Sequence, residues 1–221
     1  MPTGSPPFEL LRHKPWLLPA LFAGILLPLL LCGKIAGDLR GFGALRGDIA
    51  GLYAVHRFAN PRLDSWVVLA TRLGALLAIP ALAGVALGLR KLWRAESATF
   101  FILSLGGAAG LNLAAKLFFE RARPALWDSP NPEYDFSFPS GHAMMSMAAA
   151  AALIAIAWPT RLRWPALILG SAAVLLIGLS RLYLEVHYPS DVLAGWAAGL
   201  AWVLGLRWGL RAPLLDDSPV C

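Results

Sequence analysis

Six long stretches of this chain carry no Lys, Arg, Asp or Glu, and they constrain its fold more than any other feature. A helix needs about 20 mostly apolar residues to cross the hydrocarbon core of a bilayer. The composition agrees, because 58% of the residues are hydrophobic and 14% are charged, against roughly 45–50% and 25% in ordinary soluble domains. The stretches are residues 15–33, 73–89, 97–115, 136–160, 164–180 and 192–206.

These stretches predict an all-α polytopic membrane protein with six transmembrane helices. A spanning segment must satisfy its own backbone hydrogen bonds, which a helix does, and the period-2 alternation of a barrel strand is missing. The last stretch is short, but it is long enough if it continues through Arg207 to Leu210, because a terminal arginine can reach the interface. We expect one domain over residues 1–221. Its connector at 34–65 is either an amphipathic surface helix or an ordered link.

The basic residues predict the orientation. The short connections at 90–97 and 159–164 are basic, with Glu96 as their acid. Short basic loops usually lie on the cytoplasmic side, so we expect both termini in the cytoplasm.

The net charge of +6 suggests contact with lipid phosphate and not with nucleic acid, because the basic residues form no single stripe. Cys32 and Cys221 have neither a disulfide framework nor metal-ligand spacing.

Three groups of polar residues, far apart in the chain, fall at the same predicted face of the membrane. The groups are Lys116 and Arg123 after the third span, residues 139–142 (Pro-Ser-Gly-His) at the start of the fourth, and Arg181, His187 and Asp191 between the fifth and the sixth. The predicted topology brings them to one water-facing rim, with residues 116–191 as the catalytic region.

Five positions in these groups suit a tetrahedral anion with several charges. Arginine presents a planar fork that matches phosphate oxygens. The start of a helix offers free backbone N–H groups and the positive end of the helix dipole, and glycine allows close approach of the backbone. The phosphate-binding candidates are Lys116, Arg123, Ser140, Gly141 and Arg181.

Two histidines and an aspartate supply the reactive groups. Asp191 lies four residues after His187 and can accept the proton of its ring, which fixes the tautomer and the orientation of the imidazole. The neutral nitrogen of His187 can then attack phosphorus, and His142 can protonate the leaving oxygen. This predicts phosphoryl transfer through a phosphohistidine. The region has too few carboxylates for a two-metal site, so we expect no metal and no cofactor.

Each group also has a plain structural interpretation. Lys116 and Arg123 could anchor a helix at the membrane interface. Ser140 could be only a helix N-cap, and Arg181 could form a surface ion pair with Glu185.

Three further acids, Asp128, Glu133 and Asp135, lie in the loop before residue 139. We favour a solvated acidic loop, because loops are usually polar and exposed. The alternative is a gate or headgroup filter at the rim.

The three motifs resemble those of the type 2 phosphatidic acid phosphatase (PAP2) superfamily. The matching segments are Lys116-x6-Arg123-Pro124, Pro139-Ser140-Gly141-His142 and Ser180-Arg181-x5-His187-x3-Asp191. The resemblance implies a PAP2-like helical bundle without a metal cofactor. It also implies that His187 is the nucleophile, His142 the general acid and Asp191 the residue that orients the nucleophile. The other five candidates would bind phosphate.

Among PAP2 members, the chain is similar to bacterial undecaprenyl-diphosphate and phosphatidylglycerophosphate phosphatases. This implies a lipid phosphate phosphatase in a bacterial inner membrane, with its site on the outer face and no obligate protein partner. Undecaprenyl diphosphate is the favoured substrate, and phosphatidylglycerophosphate and phosphatidic acid are alternatives. The same site would serve a lipid-to-lipid phosphotransferase. A non-catalytic lipid transporter or scaffold is the alternative from another class, and six spans argue against vanadate-dependent halide oxidation.

Overall fold

The computed structural model describes residues 45–92 and 95–209. All regular secondary structure in these two ranges is helical, which confirms the all-α prediction for them. The helices of this part of the chain are α1 (Arg46–His56), α2 (Pro61–Leu92), α3 (Ala95–Phe119), α4 (Gly141–Ala157), α5 (Arg163–Tyr183) and α6 (Pro189–Gly209).

Three helices within the described ranges are long and apolar enough to cross a membrane. They are Ala95–Phe119, Arg163–Tyr183 and Pro189–Trp208. Helix α4 is also apolar but has 17 residues. The predicted span 73–89 lies inside the 32-residue helix α2, and the predicted span 15–33 lies outside the described residues. The total of six spans therefore stays a prediction.

Helix α4 begins later than the uncharged stretch that predicted it. Residues 136–140 are irregular, and the helix starts at Gly141. The ring of Pro139 disfavours a helical conformation for the residue before it. Ser140 is extended, with φ −64° and ψ 116°, and its side chain accepts a hydrogen bond from the N–H of Ala143. The start of α4 is thus fixed by a proline followed by a serine N-cap.

Helix α4 is the centre of the bundle and packs against α3, α5 and α6. Its alanines form the core together with phenylalanines of α3 and a valine of α6; the buried set includes Phe100, Phe101, Ala148, Ala152 and Val203. Two glycines let α6 lie directly on the backbone of α4. A Cβ atom at Gly195 would lie 2.7 Å from the carbonyl oxygen of Ser140, and one at Gly199 would lie 2.6 Å from that of Met144. The start of α6 is therefore held against the start of α4.

Helix α1 lies within the connector 34–65 but is not simply a surface helix. It packs against α5 and α6, and its Asp48 and Leu52 side chains are buried. Gly51 faces Pro189, the first residue of α6, because a Cβ atom there would lie 2.7 Å from the proline ring. Part of the connector is thus a helix docked on the bundle. Residues 34–44 lie outside the described ranges.

Candidate active site

One end of the bundle brings together the residues that the sequence motifs singled out. Lys116 lies in the last turn of α3, Arg181 in the last turn of α5 and Asp191 in the first turn of α6. The loops that follow α3 and α5 carry Arg123 and His187. Residues up to 75 positions apart in the sequence therefore share one small volume.

The turn after α5 presents His187, and Glu185 holds this turn in place. Glu185 adopts a left-handed conformation with φ 54°, which costs a non-glycine residue roughly 1–2 kcal/mol. Its buried carboxylate accepts hydrogen bonds from the backbone N–H groups of Leu126 and Trp127. The surface ion pair between Arg181 and Glu185 was therefore a wrong interpretation, because Glu185 is buried and bonded to backbone.

The three predicted phosphate-binding cations share two carboxylates, those of Glu133 and Asp135. Lys116 pairs with Asp135. Arg123 contacts both acids, with its Nη2 atom 2.8 Å from Oε2 of Glu133. Arg181 reaches Glu133 at 3.4 Å. Three cations from three parts of the chain thus converge on one anionic position.

The prediction of a solvated acidic loop is consequently wrong for Glu133 and Asp135, which pair with the cations, although Asp128 in the same loop is exposed. The Glu133 side chain is only 24% exposed, and the Asp135 side chain, although 59% exposed, bridges Lys116 and Arg123. Partial burial opposes ionisation of Asp135, but the hydrogen bonds and charges of Lys116 and Arg123 outweigh it and lower its pKa to about 2. Both carboxylates are compensated by the cations of the site, because three cations packed together need counter-charge.

His187 lies between this cation cluster and Asp191. Its Nε2 atom is 3.2 Å from Nη1 of Arg123 and 3.9 Å from Oε2 of Glu133. Its Nδ1 atom is 3.6 Å from Oδ2 of Asp191. Burial is the largest influence on the ring and lowers the pKa of His187 below its ordinary value; Asp191 opposes this and Arg123 adds to it. The ring is therefore neutral near pH 7, with one nitrogen toward the anionic position.

Asp191 is fully buried and rigidly held. Its Oδ2 atom accepts a hydrogen bond from the backbone N–H of Tyr188 at 2.8 Å and another from the hydroxyl of Ser137. Its Oδ1 atom accepts from Nη1 of Arg121. A carboxylate fixed by neighbours on both oxygens can hold the adjacent imidazole in one orientation.

Residues 140–142 lie at the edge of the site, and each has different contacts there. The buried side chain of Ser140 caps α4, and its N–H donates to the carbonyl of Asp191 at 3.1 Å. Its hydroxyl oxygen thus accepts the N-cap hydrogen bond, which leaves the O–H as a donor. At Gly141, a Cβ atom would lie 3.1 Å from Oδ1 of Asn112. His142 is exposed in the first turn of α4 and lies within electrostatic range of Arg181 and His187.

A family model for the PAP2 superfamily matches residues 97–212, just over half of the chain. The chain belongs to the PAP2 superfamily. The match includes all three motifs. The resemblance inferred from those motifs is thereby confirmed.

Two characterised relatives and one solved structure illustrate the relationship. Undecaprenyl-diphosphatase of Sulfolobus acidocaldarius is 38% identical over 85 residues, which cover 38% of this chain and 38% of that protein. Phosphatidylglycerophosphatase B of Bacillus subtilis is 36% identical over 119 residues, which cover 50% of this chain and 55% of that protein. The chain thus matches about half or less of the length of these relatives.

The solved structure is that of the transmembrane PAP2-type phosphatidylglycerolphosphate phosphatase of Bacillus subtilis. It superposes with a TM-score of 0.74 at 23% sequence identity and covers 84% of this chain and 95% of that one. At this level of identity the likeness establishes the PAP2 membrane fold.

The PAP2 motifs did not reveal several residues that the structure places around Asp191. The sequence by itself assigns no role to Ser137, Asp48, Ser190 or Arg121. Arg121 lies inside the first PAP2 motif, between Lys116 and Arg123, and that position was a usable signal. The sequence contains no comparable signal for Asp48, because this residue reaches the site only through the docking of α1 on the bundle.

Proposed function

We propose that this chain is a membrane lipid phosphate phosphatase that hydrolyses a lipid phosphomonoester or diphosphate through a phosphohistidine intermediate. The observation that carries the proposal is the convergence of Lys116, Arg123 and Arg181 on one anionic position beside Nε2 of His187. The carboxylates of Glu133 and Asp135 hold that position, and a phosphate group with several charged oxygens is a chemically equivalent occupant.

Phosphate binding replaces the two carboxylates as the partner of the cations. The guanidinium groups of Arg123 and Arg181 bind oxygens of the transferred phosphoryl group, and Lys116 adds a third positive charge. At the start of α4, the first N–H groups have no partner within the helix, so Gly141 supports the same anion through its backbone. These groups stabilise the charge of the transition state, which is the main requirement of phosphoryl transfer.

The chemistry proceeds in two displacements. In the first, the lone pair of Nε2 of His187 forms a bond to phosphorus while the bond to the lipid oxygen breaks, and His142 gives that oxygen a proton. In the second, His142 removes a proton from water, whose oxygen attacks phosphorus and releases His187. Asp191 keeps the proton on Nδ1, and a small rotation of the ring shortens the 3.6 Å separation to a hydrogen bond.

The proposed substrate is undecaprenyl diphosphate, with phosphatidylglycerophosphate and phosphatidic acid as alternatives. The names of the two relatives support a lipid phosphate in general. The site lies at the ends of α3, α5 and α6, which are long and apolar enough to span a membrane. A phosphate at that depth is at headgroup level, so its lipid tail can remain in the bilayer. We place this rim on the outer face of a bacterial inner membrane and both termini in the cytoplasm.

We also propose that the reaction needs no metal. Lys116, Arg123 and Arg181 already supply the charge stabilisation that a metal would give to the phosphoryl group. Addition of EDTA to the assay tests this part separately.

The decisive experiment measures phosphate release by the detergent-purified protein from the three candidate lipids, with and without EDTA. His187→Ala should abolish release, and the wild-type protein incubated with a ³²P-labelled lipid should carry an acid-labile phosphoryl group that the variant lacks. The control is His56→Ala, which removes a histidine stacked on Trp127 outside the motifs and should keep most of the activity. Full turnover by His187→Ala would overturn the nucleophile assignment, and a phosphorylated lipid product in place of free phosphate would identify a phosphotransferase.

A further inference from the structure

A buried charge network lies behind His187, on the side of Asp191 away from the cation cluster. It consists of Arg121, Asp48, Ser190 and Asp191, all of which have side chains 4% exposed or less. Nη2 of Arg121 is 2.7 Å from Oδ2 of Asp48. Nη1 of Arg121 donates to Oδ1 of Asp191 and, at 2.9 Å, to the hydroxyl of Ser190.

The charged and polar groups of this network, called the Arg121 network below, compensate one another through ion pairs and hydrogen bonds. Asp48 accepts hydrogen bonds from the N–H of Ser190 at 2.9 Å, from its hydroxyl at 2.7 Å and from the N–H of Leu45 at 3.0 Å. Burial opposes the ionisation of Asp48, but these bonds and that of Arg121 outweigh it, so the pKa of Asp48 lies below its ordinary value. Arg121 also stacks on Tyr188, with its Cζ atom 4.0 Å from the ring centre.

The network reaches the proposed nucleophile through Asp191. Arg121 occupies Oδ1 of Asp191, which leaves Oδ2 facing Nδ1 of His187 at 3.6 Å. Oδ2 is also held by the N–H of Tyr188 and the hydroxyl of Ser137, so with Arg121 on Oδ1 the carboxylate is fixed at both oxygens and cannot rotate away from the ring. The positive charge of Arg121 also reduces the pull of Asp191 on the ring proton, and the negative charge of Asp48 partly restores that pull.

We propose that Arg121 and Asp48 are positioning residues for the His187–Asp191 pair. Arg121 fixes the orientation of the Asp191 carboxylate. The negative charge of Asp48 partly offsets the positive charge of Arg121 and so sets how strongly Arg121 acts on Asp191. Asp48 comes from α1 and lies outside residues 97–212, the region that matches the PAP2 family model. The docked connector helix thus contributes a residue to the machinery of the site. This inference rests on the proposed function for its kinetic consequences.

The two residues should shift the titration of His187 in opposite directions. Without the Asp48 charge, Arg121 weakens Asp191 more strongly, so the pKa of His187 falls. Without the Arg121 charge, Asp191 and Asp48 both act on the ring uncompensated, so the pKa of His187 rises. Loss of local structure would not give opposite signs. The other charged or titratable groups that face the ring are Arg123 and Glu133 from the loop after α3 and His142 from α4, and all variants below leave them in place.

The test compares Asp48→Asn, Arg121→Gln and Arg121→Lys in the full-length detergent-purified protein. We expect Asp48→Asn to lower kcat about tenfold or more with little change in KM, as loss of a supporting hydrogen-bond partner usually does. The acid limb of kcat/KM should move to lower pH in Asp48→Asn and to higher pH in Arg121→Gln, by about one pH unit. Arg121→Lys should restore the position of the limb. Asp64→Asn is the matched control, because Asp64 accepts a hydrogen bond from Tyr183 outside the network.

A second readout separates this inference from the proposed function. The ring of His187 is titrated by NMR of ¹⁵N-labelled histidine, with its signal assigned by its loss in His187→Gln. Opposite shifts of the pKa in the two charge variants support the positioning role even if no lipid is hydrolysed. A ring that titrates alike in wild type, Asp48→Asn and Arg121→Gln overturns it even if phosphate release is confirmed. If Arg121→Gln does not fold, the direction of the shift in Asp48→Asn decides, because the inference requires a fall.

Discussion

Nε2 of His187 lies 3.2 Å from Nη1 of Arg123. A protonated imidazole at this distance from a guanidinium would place two positive charges side by side, which neither burial nor Coulomb interaction favours. If His187 is the nucleophile, as proposed, the contact that would position a phosphate next to it also keeps its ring in the reactive neutral form. Binding and protonation state are linked through one pair of residues.

This pair predicts how activity depends on pH. Burial and Arg123 hold the pKa of His187 below its ordinary value against the opposing effect of Asp191, so the ring loses its proton at a lower pH than a free histidine, which titrates near pH 6.5. kcat/KM should stay constant as pH falls to that region and decline only below it, as His187 becomes protonated. A pH–rate profile of the wild-type protein measures the limb.

Asp191→Asn tests the coupling behind this profile. The amide cannot hold the ring proton or stabilise its positive charge, so kcat should fall about a hundredfold or more and the acid limb should move to still lower pH. An acid limb that stays in place in this variant would show that Asp191 does not act on His187.

A second prediction concerns the carboxylates that share the cations. Asp135 bridges Lys116 and Arg123, so it competes with any phosphate for the same donors. Asp135→Asn should tighten competitive inhibition by inorganic phosphate about three- to tenfold, a modest effect because exposed ion pairs contribute little. The comparison is Asp128→Asn, an exposed carboxylate in the same loop. Equal inhibition constants for wild type and Asp135→Asn would contradict the competition.

The sequence predicted that the motif residues lie together because phosphate chemistry accepts few residue types and the membrane restricts where they can lie. Lys116, Arg123, Arg181 and His187 could be assigned to one rim from the ends of the apolar stretches alone. The start of α4 could also be placed, since residues 139–141 combine a proline, a capping serine and a glycine.

The supporting residues could not be predicted for two physical reasons. Arg121 has the same side chain as an interface anchor, and only its buried hydrogen bonds distinguish it. Asp48 acts over 143 residues of sequence separation from Asp191, through the docking of α1 on α5 and α6, which no local pattern encodes. The roles of Glu133 and Asp135 could have been inferred, because three neighbouring cations require counter-charge, but the general tendency of loops to be polar and exposed favours the other interpretation.

The low pKa of Asp48 makes a prediction about stability. A carboxylate whose pKa is lower in the folded than in the unfolded protein stabilises the fold above its unfolded pKa, and this contribution is lost as pH falls through the folded pKa. Asp48→Asn should therefore lower stability by about 2 kcal/mol near neutral pH, the usual value of hydrogen bonds to a charged group. The difference in Tm between wild type and variant should begin to shrink below about pH 4, where the carboxyl of the unfolded protein takes up a proton, and it should disappear only as pH falls through the lower pKa of the folded protein.

Thermal unfolding in detergent between pH 7 and pH 3 provides this measurement. Asp64→Asn again serves for comparison, since its partner is the Tyr183 hydroxyl and no charge network is broken. A Tm difference for Asp48→Asn that stays constant over the whole pH range would mean that the Asp48 charge does not stabilise the fold.

The contact between α4 and α6 makes the last prediction. A methyl group at Gly195 would lie 2.7 Å from the carbonyl oxygen of Ser140 and 3.1 Å from the backbone nitrogen of Met144. Because backbone atoms cannot move aside, Gly195→Ala should push the start of α6 away from the start of α4, at a cost of about 1–3 kcal/mol. Asp191 is carried on that part of α6, so kcat should fall as well.

Gly106→Ala in α3 is the matched control, because a Cβ atom there has no heavy atom within 4 Å and alanine favours a helix over glycine. The measurements are thermal unfolding and phosphate release of both variants. A Gly195→Ala protein that is fully active and as stable as wild type would refute the close contact.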